Sequence, residues 1–194
     1  MSRILSRILG SVGGRTPEEQ ARSSAEGARV RVLMVCMGNI CRSPTAEAVL
    51  RQRLSQAGLA ELVEVDSAGT HAYHLGSPPD ERSQEVGQRR GYELARLRAR
   101  KVAPLDYEQF DLLLAMDWDN LALLEEGCPA EQRRKLRRLT EFIPVPHPLA
   151  GAAVVPDPYY GGPDGFEHVL DLVEAACDGL VAHLNARLRA PGQA

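Results

Sequence analysis

One stretch constrains this chain more than any other: Val32-Leu-Met-Val-Cys36-Met-Gly-Asn-Ile-Cys41-Arg42-Ser43-Pro44. Val30, Val32, Leu33, Met34 and Val35 make an apolar, β-branched run of strand length that ends at a cysteine, and a helical pattern begins after Pro44. The order is buried strand, loop, helix. Ser43 is placed to cap the helix and Pro44 to take its first position. The loop N–H groups and the positive end of the helix dipole are therefore expected to converge just past the strand. Such a convergence is an anion site.

The sequence puts a thiol at one end of that site and a guanidinium at the other. A cysteine at a helix N-terminus beside an arginine is favoured as the thiolate, the form that attacks. Arg42 offers a planar fork that matches two phosphate oxygens at once. Phosphoryl transfer asks mainly for positioning and for charge stabilisation on three equatorial oxygens. Arg42 and the loop residues Met37, Gly38, Asn39, Ile40, Cys41 and Ser43 can supply both without a metal. A bare Cys-x5-Arg spacing says little. Its context says more: a strand precedes it, Gly38 and Asn39 stand where the loop needs unusual φ, and Ser43 lies within reach of the thiolate. The expectation is a phosphatase that passes through a phosphocysteine.

Cys36-Met-Gly-Asn-Ile-Cys-Arg-Ser-Pro44 resembles the signature loop of the low-molecular-weight protein tyrosine phosphatases, and Asp157-Pro-Tyr-Tyr160-Gly-Gly162 resembles that family's general-acid loop. Asp66-Ser-Ala-Gly-Thr70 and Ala115-Met-Asp117 extend the likeness, which spans about residues 29 to 190. The resemblance implies a flavodoxin-like fold of the phosphotyrosine protein phosphatase I type. It also implies phosphotyrosine as substrate, with Cys36 as nucleophile, Arg42 as phosphate ligand and Asp157 as the acid that protonates the departing phenolate and then serves as base. On the same likeness Tyr73, Tyr159 and Tyr160 line the ring pocket, although relatives often carry Trp near position 73. Cys41 would protect Cys36 through a reversible disulfide, or would simply shape the loop as a small buried side chain. No cofactor or metal is implied. A tyrosine-phosphorylated protein is the expected partner, a bacterial tyrosine kinase among the candidates.

Length and composition bound these expectations. At 194 residues and 44% hydrophobic content the chain can bury one good core. A net charge of −3 gives no global basic footprint, so nucleic acid is not an expected partner. Lys and Arg cluster only at Arg96–Lys101 and Arg133–Arg138, as solvated faces or as aids to docking an acidic substrate. No apolar run is long enough for a membrane span. Four irregularly spaced cysteines do not suggest a disulfide scaffold, and a working thiolate needs a reducing compartment such as the cytoplasm. With neither a Cys-x-x-Cys pair nor a His-Glu-x-x-His helix, a zinc site has no support.

Along the chain, residues 1–28 form an extension in which Met1, Ile4, Leu5, Ile8, Leu9 and Val12 fall at helical spacing opposite Arg3 and Arg7. Three readings stay open for it: a disordered extension or a start codon set too far upstream, a surface helix through residues 1–12 that meets a membrane or a partner, and a cleaved targeting peptide. The domain proper, 29–190, should be an α/β unit with an open, twisted, four-stranded parallel sheet and helices on both faces. Strands are expected over Arg31–Val35, Leu62–Val65, Leu112–Met116 and, against a helical propensity, Leu136–Leu139. Helices are expected over Pro44–Gln56, Pro79–Arg90 and 117–126, with a long last helix after Gly161-Gly-Pro-Asp164. Asp66–Thr70 is read as the chain returning over the sheet, 71–79 and 140–156 as loops. Cys177 falls on the apolar face of the last helix and should be inert. Three rivals share some of these features: a thioredoxin-coupled arsenate reductase, for which Cys128 and Cys177 are too far apart in sequence; a phosphoarginine phosphatase, whose relatives tend to carry Thr where this chain has Ile40; and a non-catalytic phosphotyrosine binder, which would need neither thiolate nor acid.

Overall fold

Strand β1 (Val30–Cys36) is the spine of the domain. It pairs in parallel with β2 (Val63–Gly69) on one edge and with β3 (Leu112–Ala115) on the other, and β3 pairs with β4 (Leu136–Arg138), giving the order β2-β1-β3-β4. Val30, Val32 and Met34 enter the core on one face of the sheet; Leu33 and Val35 enter the core on the other. A strand covered on both faces needs no polar alternation, which is why its sequence reads as an unbroken apolar run. The computed structural model describes residues 30–189. The extension expected over 1–28, with its helix over 1–12, lies outside the described residues.

Helices α1 (Arg42–Gln56) and α5 (Pro163–Arg189) cover the first face, with α2 (Glu81–Arg89) beside them; α3 (Pro104–Gln109) and α4 (Trp118–Gly127) flank the second. The apolar face of α5 is the one its 3.6-residue period predicts: Phe166, Val169, Leu170, Val173, Cys177, Leu180 and Leu184 are all buried. Burial pushes the Cys177 thiol up, as befits an inert core side chain. Midway along α5, a Cβ on Gly179 would lie 1.8 Å from the Phe142 carbonyl oxygen, so only glycine lets the 3₁₀ turn Leu139–Phe142 pack against the helix. Arg90 ties the end of α2 to α5 through Glu167, Asp171 and Glu174, at 2.7–2.8 Å.

Several boundaries differ from the sequence reading, each for a traceable reason. Helix α1 opens at Arg42 with Cys41 as its unassisted N-cap; Ser43 does not cap it and Pro44 is not its first residue, because the Ser43 hydroxyl bonds the Cys36 sulfur instead. Residues 66–69 continue β2 rather than turning back. Their polar side chains broke the apolar pattern, yet Asp66 is held by Arg100, and Ser67 by Glu47 and Asn39. Helix α3 is too short to show a period, and Asp106 caps its first turn by accepting from the Ala103 N–H at 2.7 Å. The helical propensity before β4 is realised only as a 3₁₀ turn, Ala130–Lys135.

Candidate active site

The loop between β1 and α1 is shaped by where its carbonyls go. Cys36 O accepts from Thr70 N at 2.8 Å, Met37 O from His71 N at 2.9 Å and Ile40 O from Asp80 N at 2.8 Å. Cys41 O accepts from the Thr45 hydroxyl at 2.7 Å. With these carbonyls bound to the surrounding segments, the N–H groups of Gly38, Ile40 and Cys41 have no protein acceptor among the described residues. Asn39 N donates to Cys36 Sγ at 3.3 Å. Asn39 adopts φ 56°, the left-handed conformation a peptide reversal needs and one that asparagine tolerates better than most residues. Gly69 permits the close approach of β2, since a Cβ there would lie 2.7 Å from Met37 O.

A chain of side chains runs behind the loop. Ser43 Oγ lies 3.0 Å from Cys36 Sγ, and Asn39 Nδ2 donates to both Ser43 Oγ and Ser67 Oγ at 2.9 Å. Ser67 in turn donates to Glu47 Oε2 at 2.5 Å, and Asn39 Oδ1 accepts from Arg100 N at 2.9 Å. Glu47 is buried, and that burial raises its carboxyl pKa against the opposing pull of Arg51 and Ser67.

Arg42 is 2% exposed and stretches between two carboxylates. Its Nη1 meets Asp117 Oδ2 at 2.5 Å and Val155 O at 3.3 Å, and its Nη2 meets Asp157 Oδ2 at 2.7 Å. Burial alone would weaken the charge on Arg42, but Cys36, Asp157 and Asp117 outweigh it and hold the guanidinium protonated. Asp117 does two tasks: Oδ1 caps α4 by accepting from Asn120 N at 2.7 Å while Oδ2 holds Arg42. The Tyr159 N–H donates to Asp157 Oδ1 at 3.1 Å.

These groups open onto a cleft of about 260 Å³ lined by Cys36, Met37, Gly38, Ile40, Cys41, Arg42, Tyr73, His74, Asp157, Tyr159 and Tyr160. The structure thus brings together ten of the sequence-predicted site residues, with Asn39 and Ser43 behind them. Tyr73 stands at the rim, 70% exposed and stacked on His71, while Tyr159 and Tyr160 meet edge to face. His74, read from the sequence as a loop polar residue, lines the cleft, and its ring would sit 2.9 Å from a Cβ on Gly38. Burial, then the charges of Asp80 and Cys36, push the Cys41 thiol up to about 12, so it stays protonated beside Cys36. Ser67, Glu47, Asp117 and Arg100 were not foreseen at the site. Asp117 carried a capping signal at the end of an apolar strand, and it and Ser67 stood in stretches that extend the family likeness. Among the described residues no three His, Cys, Asp or Glu side chains gather as metal ligands, and no helix is long and apolar enough to cross a membrane.

Fold and cleft together define a class: α/β proteins with a parallel sheet that present a cysteine inside an oxyanion-binding loop at a strand's carboxyl end. Comparison with known proteins narrows the class to a family. The profile of the low molecular weight phosphotyrosine protein phosphatase family matches residues 31–190, and the chain belongs to that family. A low molecular weight protein-tyrosine-phosphatase of Streptomyces coelicolor is 47% identical over 154 residues, 78% of this chain and 92% of that protein. Another from Bacillus subtilis is 37% identical over 155 residues, 80% and 96% of the two chains. Among solved structures, a protein tyrosine phosphatase from Entamoeba histolytica with Hepes in its active site superposes with a TM-score of 0.77 at 40% identity, covering 82% of this chain and 99% of that one.

Proposed function

We propose that this chain is a protein-tyrosine-phosphatase that hydrolyses phosphotyrosine and other aryl phosphate monoesters through a phosphocysteine intermediate. The observation that carries the reading is the convergence of Cys36 Sγ, the outward-bonded loop and the Arg42–Asp157 pair on one cleft. In the first step the Cys36 thiolate attacks phosphorus in line, the loop N–H groups and Arg42 hold the three equatorial oxygens, and Asp157 gives its proton to the departing phenolate. In the second, Asp157 as a carboxylate takes a proton from water, which attacks phosphorus and returns Cys36 as thiolate with release of phosphate. Ser43, whose Oγ lies 3.0 Å from the sulfur, favours its departure by donating to the thiolate as it leaves.

The tyrosine rim and the relatives' names support an aryl phosphate over a guanidino phosphate, and Ile40 in the cleft wall adds no polar group for the latter. Arsenate reduction by a further thiol pair fits less well. Cys177 is sealed in the core beneath α5 and Cys128 in the core on the other face of the sheet. The natural partner on this reading is a tyrosine-phosphorylated protein of a reducing compartment, the cytoplasm, with a bacterial tyrosine kinase as the first candidate.

Hydrolysis of phenyl phosphate in EDTA tests the reading. Cys36→Ser is expected to abolish turnover and Asp157→Asn to lower it by roughly 100-fold or more. A folded, reduced wild type without turnover would overturn it. Oxidation of Cys36 by peroxide to the sulfenic acid, followed by attack of the Cys41 sulfur with loss of water, would give a Cys36–Cys41 disulfide. Mass spectrometry after mild peroxide should find that bridge; sulfinic acid on Cys36 without it would remove Cys41 from any protective role.

A further inference from the structure

Basic side chains in this domain are mostly matched by carboxylates, in α1, α2 and β4 as well as at Arg42 and Arg100. Two short runs depart from that pattern. Arg96, Arg98 and Lys101, all exposed, have no carboxylate partner among the described residues, where Arg98 donates only to the carbonyls of Ala95 and Leu97. Arg133, Arg134 and Lys135 likewise bond backbone oxygens or nothing. The chain carries a net charge of −3, and among its described residues these are the two runs where clustered positive charge meets no carboxylate.

The parallel sheet distinguishes them. Cys36 closes β1 at the carboxyl end of the sheet, whereas Arg133–Lys135 lead into β4 at its amino end, away from the cleft. Lys101 instead bridges to Gly69, the last residue of β2, at the carboxyl end. The 96–101 segment is fastened to the site by its backbone. Arg100 N donates to Asn39 Oδ1 of the phosphate loop at 2.9 Å, Ala99 N donates to Ser77 O at 2.9 Å, and Ala99 O accepts from Gly76 N at 2.8 Å. The last two bonds hold it against the loop that carries Tyr73 and His74 to the cleft rim.

We propose that Arg96, Arg98 and Lys101 form a docking surface for an acidic segment adjoining the phosphotyrosine of the substrate protein. The proposal rests on the phosphotyrosine reading above. A tyrosine seated in the cleft leaves its neighbouring residues on the rim, and acidic side chains among them meet cations that no internal carboxylate neutralises. Exposed pairs of this kind steer encounter and add modestly to affinity, so the effect belongs to peptides and is invisible to a small aryl phosphate.

The full chain is assayed on phosphotyrosine peptides whose flanks carry three Glu, three Gln or three Lys, with phenyl phosphate as control. The wild type should prefer the Glu peptide over the Gln peptide by roughly 3- to 10-fold in kcat/KM, mostly through KM, at about 0.1 M ionic strength, and lose the preference near about 1 M. The triple variant Arg96→Glu/Arg98→Glu/Lys101→Glu should reverse it towards the Lys peptide with phenyl phosphate turnover unchanged. Arg133→Glu/Arg134→Glu/Lys135→Glu should keep it. No preference in a wild type that turns over phenyl phosphate overturns the proposal, as does equal loss in both triple variants, which would be an effect of bulk charge. So would loss of co-sedimentation with phosphatidylglycerol vesicles in the first triple variant alone, with peptide preference intact. A wild type inert towards phenyl phosphate would instead strike the underlying phosphatase reading.

Discussion

The Ser43 hydroxyl has one proton, and the side chains behind the loop decide where it goes. As a carboxylate Glu47 can only accept from Ser67, so Ser67 Oγ is left to accept from Asn39; the second Asn39 N–H then goes to Ser43 Oγ. Ser43 must direct its own proton to Cys36 Sγ or to the more distant Ala68 O, at 3.0 and 3.3 Å. A donor to a thiolate is a charge-assisted bond, and its loss in Ser43→Ala should lower kcat/KM roughly 10-fold or more. Glu47→Ala should produce a smaller loss and slow iodoacetamide alkylation of Cys36, while Glu47→Gln, whose amide oxygen can still accept from Ser67, stays near wild type. Because burial raises the folded Glu47 pKa, the native state holds its proton to higher pH than the unfolded chain does. Stability should therefore fall as pH rises from the ordinary carboxylate range through the raised value, and denaturant titrations of Glu47→Gln should show that fall flattened. Cys36, Arg42 and Asp157 were legible from sequence because a motif fixes their spacing to recognisable neighbours. Ser67, Glu47 and Asp117 were not, since they reach the site from other elements and carry no local spacing to Cys36.

At the scale of elements, the start of α2 hangs on one side chain. Asp80 caps it, accepting from Arg82 N and from the Arg82 guanidinium at 2.9–3.0 Å, and the Asp80 N–H holds Ile40 O of the phosphate loop. The Arg82 bonds, against a partial burial, keep the Asp80 carboxyl below its usual pKa. The unfolded chain then binds the proton first, so the contribution is present above the ordinary Asp value and is lost as pH falls through the lowered one. Asp80→Ala should cost about 1 kcal/mol at neutral pH, and less in acid, by urea titration. Gly179→Ala drives a methyl group into the Phe142 carbonyl and should cost on the order of 3 kcal/mol, seen as a drop of roughly 6–12 °C in Tm. Elements with long, clean periods were the readable ones: β1 through its two-sided burial, α5 through its apolar stripe, and α4 through its Asp117 cap. Three-residue β4 was found only because a doubly wound sheet needs it, and six-residue α3 went unseen. The end of β2 was misread because its polar side chains serve the site rather than the core.

Taken as a whole molecule, the domain contains its sheet, both cores and the complete cleft within residues 30–189, and the family profile begins at Arg31. A chain started at residue 29 keeps every described element and every residue described at the cleft, and should hydrolyse phenyl phosphate with a kcat/KM close to that of the full length; a large loss would assign residues 1–28 a part in the site. The alternation of strands and helices made this architecture legible, while the convergence of distant segments on one guanidinium was not. Arg42 joins the start of α1 to Asp117 after β3 and to Asp157 in the loop before α5. The free enzyme thus already has a tenant beside Arg42, and that tenant is Asp157, the acid of the mechanism proposed above. An arriving phosphate dianion contends with Asp157 for the same cation, so occupancy by substrate and release of the acid are one exchange. A monovalent anion attracts Arg42 less strongly than a dianion does, so on the proposed mechanism the cleft would screen its visitors by charge before any bond to sulfur begins to form.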